Sequence, residues 1–275
     1  MLKLTTENRS HIFGKKYTVK DLVAKGIEPP IYDERFCVVV IDGHMRPNET
    51  IYRAMHQDYS AHFVGDEIIN MSDSELGEAV VRNLLKGKRG HFGPLEHPQL
   101  TLMTGFFPHS TMQQIRTHRI GITFDVQSYR YTNENILAAA TKGENDPAYV
   151  EDAFYMRPMG SYSSRDGKNY EYTYELRKED LEWNLKLAKR YKARFDMGFS
   201  EEHCRGLIAA EYRQHFGYSA TFRSHLHVLD LRAKADAAPE VRTLSELSAL
   251  ALEDWCPEVM QWYLKNRMRK AVLSP

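Results

Sequence analysis

The apolar positions of this chain change period several times, and each change marks an element. Phe36, Cys37, Val38, Val39, Val40 and Ile41 form an unbroken, largely β-branched run closed by Asp42-Gly43, the pattern of a buried strand. Leu100, Met103, Phe106 and Phe107 predict a second buried strand over 100–107. Leu76, Ala79, Val80, Leu84 and Leu85 recur at helical spacing behind Ser72 or Ser74 and the acids Asp73, Glu75 and Glu78. The basic, glycine-containing run from Lys86 to Gly90 ends that helix. Asn48 reads as the cap of a helix reaching about His62, and Ser110 as the cap of a short helix carrying Gln113, Gln114 and Arg116. Residues 1–34, polar and broken by Pro29-Pro30, read as an irregular arm or edge element.

The second half is mostly helical by the same criteria. Residues 135–141 are helix-prone, and the segment to 165 is irregular. The turn from Arg165 to Asn169 leads into alternating Tyr170, Tyr172 and Tyr174, which predicts a hairpin. Leu181, Leu185, Ala188 and Tyr191 give the inner face of a long helix over 178–197. Ser200 with Glu201-Glu202 opens a helix carrying Arg205, and a further helix runs from near Ser219 to Arg232. Pro239 opens a helix with Leu244, Leu247, Leu250 and Ala251 on one side, and Pro257 restarts the chain for 259–264.

At 275 residues and 42% hydrophobic content, the chain predicts one large domain with a sizeable core. Its 37 basic and 37 acidic residues balance, which argues against bulk electrostatic binding to nucleic acid or an anionic membrane. The three cysteines, Cys37, Cys204 and Cys256, are far apart and lack metal-ligand spacing. No export signal or membrane-length apolar run is visible, so a cytoplasmic protein is expected.

Against that neutral background, 113–131 concentrates cationic and amide groups: Gln113, Gln114, Arg116, His118, Arg119, Gln127, Ser128 and Arg130. Guanidinium forks match phosphate and carboxylate geometry, so the stretch suits a multiply anionic ligand, where a bland reading is a solvated basic helix end. The helix ending at Arg232 places Arg223 and His227 four residues apart on one face. Gly90-His91-Phe92-Gly93-Pro94-Leu95-Glu96-His97 is a polar turn; a metal set there lacks a further ligand cluster, and none is predicted. The tyrosines at 170–174 read as a half-buried sheet face, or as a base-stacking platform.

Three blocks together resemble the flavin-dependent thymidylate synthase family. Arg116-Thr117-His118-Arg119, eight residues, then Ser128-Tyr129-Arg130-Tyr131 is similar to that family's Arg-His-Arg, seven residues, Ser-x-Arg-Tyr, with an added Thr and a longer spacer. The Gly90–His97 turn resembles Gly-His-x-x-Pro-x-Glu-His, with Gly93 where a hydroxyl residue is common. Arg223-Ser224, His227 and Arg232 fit Asn-x-Arg-Ser-x-x-Asn/His-x-x-x-x-Arg, with Thr221 in place of Asn. Beyond Arg232 the usual His-Ala-Gln is missing, though Glu240-Val241-Arg242 keeps Glu-Val-Arg. The likeness covers most of 36–130 and 200–250.

The resemblance implies an α/β (α+β) subunit with a central sheet flanked by helices, not a Rossmann fold. Residues 133–177 stand as an insertion with a hairpin. It implies FAD held by His91, Glu96, Arg116, His118, Arg119, Arg223 and His227. It implies dUMP held by Gln113, Arg116, Gln127, Ser128, Arg130, Arg205 and Arg232. Arg232 is the catalytic residue, stabilising charge that develops on the uracil, with no cysteine nucleophile. NADPH, methylenetetrahydrofolate and a homotetramer with shared sites complete the implied picture. Asp125 or Val126 stands where the family has a glutamate. The alternatives are a single-stranded nucleic-acid binding module, or a flavoprotein acting on another pyrimidine.

Overall fold

The computed structural model describes residues 8–88, 91–164 and 166–270. Arg89-Gly90, Arg165 and the ends of the chain lie outside them, so the predicted Gly90 and Arg165 turn positions carry no structural account.

Apolar runs and helical repeats assemble into one antiparallel five-stranded sheet with helices packed on it. Of the two readings of the N-terminal arm, the edge element is the one found. The arm holds β1 (Lys16–Thr18), an edge strand of the sheet, and α1 (Val19–Ala24), which bury Tyr17, Val19 and Leu22. Asp21 and Thr18 cap α1 reciprocally, a local signal that the polar composition conceals. Next come β2 (Cys37–Gly43) and α2 (Pro47–Gln57). The latter begins on Pro47 and ends short of His62. Asn48 is not its cap: its amide lies fully buried, donating to Asp73 and Glu258. Ser72 does cap α3 (Asp73–Val80), with Glu75 completing a capping box.

The centre of the sheet is β3 (Gln99–Pro108), followed by α4 (His109–Ile115) and β4 (Ile122–Val126). Leu100 and Leu102 are buried while Met103 is 48% exposed, because a strand alternates faces; the predicted inward Met103 is therefore corrected. A bulge between Thr104 and Phe107 holds Phe106 at φ 68 and lets its neighbour Phe107 turn fully inward. Pro108, not Ser110, occupies the cap position of α4.

Then follow α5 (Glu134–Lys142), α6 (Ala148–Ala153) and the hairpin of β5 (Gly160–Ser163) and β6 (Asn169–Tyr172). The long α7 (Tyr174–Asp196) takes in Tyr174, which was expected on the hairpin strand. Thr173 caps it, so the strand stops there. With α8 (Glu201–Cys204), α5, α6 and α7 gather a second apolar cluster around Ile136, Ala139, Phe154, Ala188 and Tyr191.

The strand missing from the sequence reading is β7 (Arg213–Thr221), placed there partly in a helix from Ser219. Phe216, Tyr218 and Ala220 alternate inward along it, and it lies between β3 and β4 in the order β1-β2-β3-β7-β4. Thr221 then caps α9 (Phe222–Arg232). Finally α10 (Pro239–Trp255) and α11 (Pro257–Asn266) join the main core; α10 is buried around most of its circumference. Among the described residues no helix is long and apolar enough to cross a membrane.

Candidate functional site

Two cavities lie at opposite ends of β4. The turn leading into β4 is tight: Gly121 sits at φ 64, its carbonyl accepts from Thr221 N–H at 2.9 Å, and a Cβ there would collide with Ser224. Ser224 Oγ in turn donates to the Ile120 carbonyl at 2.7 Å. This seam fastens the segment carrying His118 and Arg119 to the first turn of α9, on which Arg223 and His227 share a face, while Arg232 at its last turn is drawn in by bonds to the same segment.

The result is a cavity of about 630 Å³ lined by Glu96, His118, Arg119, Arg223, His227 and Arg232, with Ile120 and Leu231 as apolar wall. Arg223 is neutralised by Glu96 at 2.6 Å. Arg232 differs: its Nε–H donates to Nε2 of His118 at 3.0 Å and a terminal N–H to Thr117 Oγ1 at 2.7 Å. Both partners are neutral, and no carboxylate pairs with Arg232 among the described residues. Burial, then the charge of Arg232, then His227, push the His118 pKa down to about 4. The ring is therefore neutral near pH 7, and the bond from Arg232 fixes the proton on Nδ1. His227 meets His118 edge-on at 5.1 Å, and burial lowers its pKa too. Of the three arginines in the lining, Arg119 and Arg232 have no carboxylate partner among the described residues, and Arg232 is the half-buried one of the two.

At the far end of β4, about 14 Å along the strand, a cavity of about 280 Å³ is lined by Gln127, Ser128, Arg205 and Val126. Gln127 Oε1 accepts from the backbone N–H of His215 at 3.1 Å, leaving its amide –NH₂ for other partners. Arg130 stands outside this lining and pairs with Glu202 at 2.8 Å across exposed side chains. Asp125 is exposed and does not line the cavity, whereas Val126 does.

Besides Arg130, three more predicted residues join neither cavity within one chain. Gln113 is exposed on α4 and bonds His109 at 2.7 Å. Arg116 is exposed at the end of the same helix. His91 is exposed and pairs with Asp58 at 2.7 Å. The pairing of Arg223 with Glu96, and of Arg232 with Thr117, could not be anticipated from spacing. They connect segments more than a hundred residues apart. In the sequence Thr117 is only an added residue in the motif; in the fold its hydroxyl holds Arg232.

All three cysteines are buried, and burial raises each thiol pKa. Cys204 is shaped by Glu201 and Arg194, not by its neighbour Arg205. Among the described residues no cluster of three His, Cys, Asp or Glu side chains is placed to hold a metal ion.

A profile of the family described as "Thymidylate synthase complementing protein" matches residues 40–258. A flavin-dependent thymidylate synthase of Haloarcula marismortui is 28% identical over 242 residues, covering 83% of this chain and 96% of the relative. Its counterpart in Halobacterium salinarum is 28% identical over 246 residues, covering 86% and 99%. Among solved structures, the UMP/dUMP methylase PolB from Streptomyces cacaoi bound with 5-Br dUMP superposes with a TM-score of 0.66 at 17% identity, covering 87% of this chain and 97% of that one. Thymidylate Synthase X from Helicobacter pylori, with FAD and dUMP, gives 0.59 at 15% identity, covering 78% and 92%. Both structures share the fold of this chain.

Proposed function

The chain belongs to the thymidylate synthase complementing protein family, and from that premise we propose that it is a flavin-dependent thymidylate synthase. It methylates dUMP reductively to dTMP, with FAD as cofactor, methylenetetrahydrofolate as carbon donor and NADPH as reductant, in the cytoplasm. One observation supports this most: Glu96, His118, Arg119, Arg223, His227 and Arg232, from three separate stretches of sequence, line a single cavity.

That donor set fits FAD. Guanidinium groups suit a diphosphate, while neutral imidazoles with Ile120 and Leu231 suit a flat ring system. Glu96, His118, Arg119, Arg223 and His227 hold it, with His91 and Arg116 contributing from outside the lining of this chain. When bound, the flavin supplies the reducing equivalents of the reaction. The chain's own residues bind, orient and stabilise. Arg205, Ser128 and Arg130 hold the dUMP phosphate through charge-assisted hydrogen bonds. Gln127 offers its amide to the nucleotide. Arg232 stands at the uracil carbonyl, where an uncompensated, half-buried cation stabilises negative charge as it develops on the ring. No thiol takes part.

Arg232 and the phosphate-binding residues lie at opposite ends of β4, which favours sites shared between chains of a homotetramer. The cavity holding Arg232 on one copy is completed by Gln127, Ser128 and Arg205 of another. Gln113 and Arg116, exposed on α4, face outward in a single chain as residues lent to a neighbour do. Residues 133–177 form an insertion on a single catalytic domain that spans 1–275. The nucleic-acid alternative loses ground because the tyrosine face lines a pocket and the net charge is zero.

The test is spectroscopic. Protein incubated with FAD and desalted should retain flavin absorbance, and after reduction its reoxidation should respond to dUMP. UMP is the comparator, because PolB is described as a UMP/dUMP methylase. No retained flavin in folded, oligomeric protein would refute the proposal.

A further inference from the structure

The hairpin β5–β6 has no part in the reaction proposed above, yet it walls a third cavity of about 560 Å³, within the size range of small-molecule pockets. Cross-strand pairing sets Tyr162 opposite Tyr170, and Tyr172 follows two residues on, so all three rings share one face of the ribbon. The rings of Tyr162 and Tyr170 stack at 5.8 Å. Their hydroxyls are already engaged within the protein. Tyr162 donates to the Pro158 carbonyl at 2.6 Å, Tyr172 donates to Asp180 at 2.6 Å, and Tyr170 accepts from Arg157 at 3.1 Å. What this wall offers a ligand is therefore ring surface. Trp183 on α7 adds an indole that is 61% exposed at the rim.

The opposite polarity is also laid out. Asn184 on α7 lines the cavity, is only 8% exposed, and its amide has no hydrogen-bond partner among the described residues. Its polar atoms stay open to the cavity's solvent, so the amide is available to a partner that arrives from outside. Glu211 accepts one bond, from Ser110 at 2.9 Å, and Asp180 accepts one from Tyr172; the second oxygen of each is unmatched among the described residues. Glu211 is open to solvent but closely ringed by protein, and desolvation raises its pKa. The cavity's arginine, Arg157, is committed to Glu240 at 2.7 Å. One paired arginine against three carboxyl groups disfavours phosphate and other anions.

We propose that this cavity is a second ligand site, which takes a planar nitrogen heterocycle presenting an amino–amide donor edge. The heterocycle lies between the tyrosine wall and Trp183. Asn184 reads its edge, and Glu211 and Asp180 accept its N–H groups. The 2-amino-4-oxo edge shared by pterins and guanine has this chemistry, and the site is separate from the two cavities at the ends of β4.

Isothermal titration of the full-length protein with two uncharged probes, guanosine and 6-hydroxymethylpterin, tests the claim without requiring turnover. Saturable binding of either probe at one site per chain is expected, and which probe binds identifies the source of the edge. Glu211→Gln and Asn184→Leu should each weaken binding by at least about tenfold, since each removes a buried or charged hydrogen-bond partner. Both variants should keep the wild-type response of bound flavin to dUMP, which separates this proposal from the methylation reading. No saturable heat with either probe would overturn it. So would binding that is undiminished in both variants.

Discussion

The Nε–H of Arg232 donates to Nε2 of His118 across 3.0 Å, and this bond joins a guanidinium to a neutral ring where a carboxylate would be the usual partner. The consequence is a cation oriented at no cost to its charge. A carboxylate would orient Arg232 equally well but would cancel the field that its proposed role at the uracil needs. Glu96 does cancel the charge of Arg223 in the same cavity, so the two arginines serve different purposes.

Arg232→Ala should therefore retain FAD and lose turnover. Removing a single charge-stabilising donor of this kind costs about 10²–10³ in rate. The measurement is dUMP-dependent reoxidation of reduced flavin under single-turnover conditions. Arg232→Lys should restore little, because a lysine cannot bond His118 and Thr117 while also reaching the ligand with the same planar fork.

Stability should fall on the acid side in a definite window. His118, with a folded pKa of about 4, takes a proton more readily in the unfolded chain, at its ordinary value of 6.5. Its contribution is thus fully present above pH 6.5 and is lost as pH falls toward 4. The fully buried His225 acts in the same sense and the same window. Each contributes on the order of 3 kcal/mol at most. Urea midpoints measured between pH 7 and pH 4.5 should drop steeply in the wild type and less steeply in His118→Gln.

A buried ion pair supports the other end of the sheet. Arg213 donates to Asp33 at 2.6 Å and to the carbonyls of Glu151 at 2.6 Å and Phe106 at 2.9 Å, with side chains 4% and 9% exposed across the pair. The Phe106 bond also holds the bulge of β3. Arg213→Leu would strand Asp33 and these carbonyls, costing about 3–5 kcal/mol. Chemical denaturation reads this directly, and a loss below 1 kcal/mol, roughly that of an exposed pair, would show that the pair is not the support described.

The proposed division of the site between chains has its own test. Arg205→Ala and Arg232→Ala are each expected to be inactive alone. Co-expressed, they should recover about a quarter of wild-type turnover, because in a random assembly about one shared site in four is built from two intact halves. Sites confined within one chain would recover none.

Much of this site was legible before the fold was known. Arg223 and His227 lie four residues apart on one helix face, Arg232 ends the same helix, and the Arg116–Tyr131 stretch is dense enough in cations to stand out. The remainder depended on non-local pairing. Strand β7 escaped notice because Arg213, Gln214 and His215 break its apolar content, and its Phe216, Tyr218 and Ala220 alternation is short. Without β7 there is no way to see that β4 separates two cavities, since β7 is the strand that β4 pairs with. Asn48 misled for a related reason: a cap-forming residue in sequence became a buried donor because Asp73 and Glu258 reach it from distant helices. Arg130 and His91 were identified by motif alone, and in one chain they pair with Glu202 and Asp58.

The most direct measurement is product formation by the purified protein supplied with FAD, NADPH, methylenetetrahydrofolate and dUMP, with dTMP separated and quantified by chromatography. The account predicts dTMP in the complete mixture, none when the flavin or the folate is left out, undiminished product in Cys204→Ala, and product formed about 10²–10³ times more slowly in Arg232→Ala. Wild-type-like dTMP from Arg232→Ala, or no dTMP from folded, flavin-loaded wild-type protein, would contradict it.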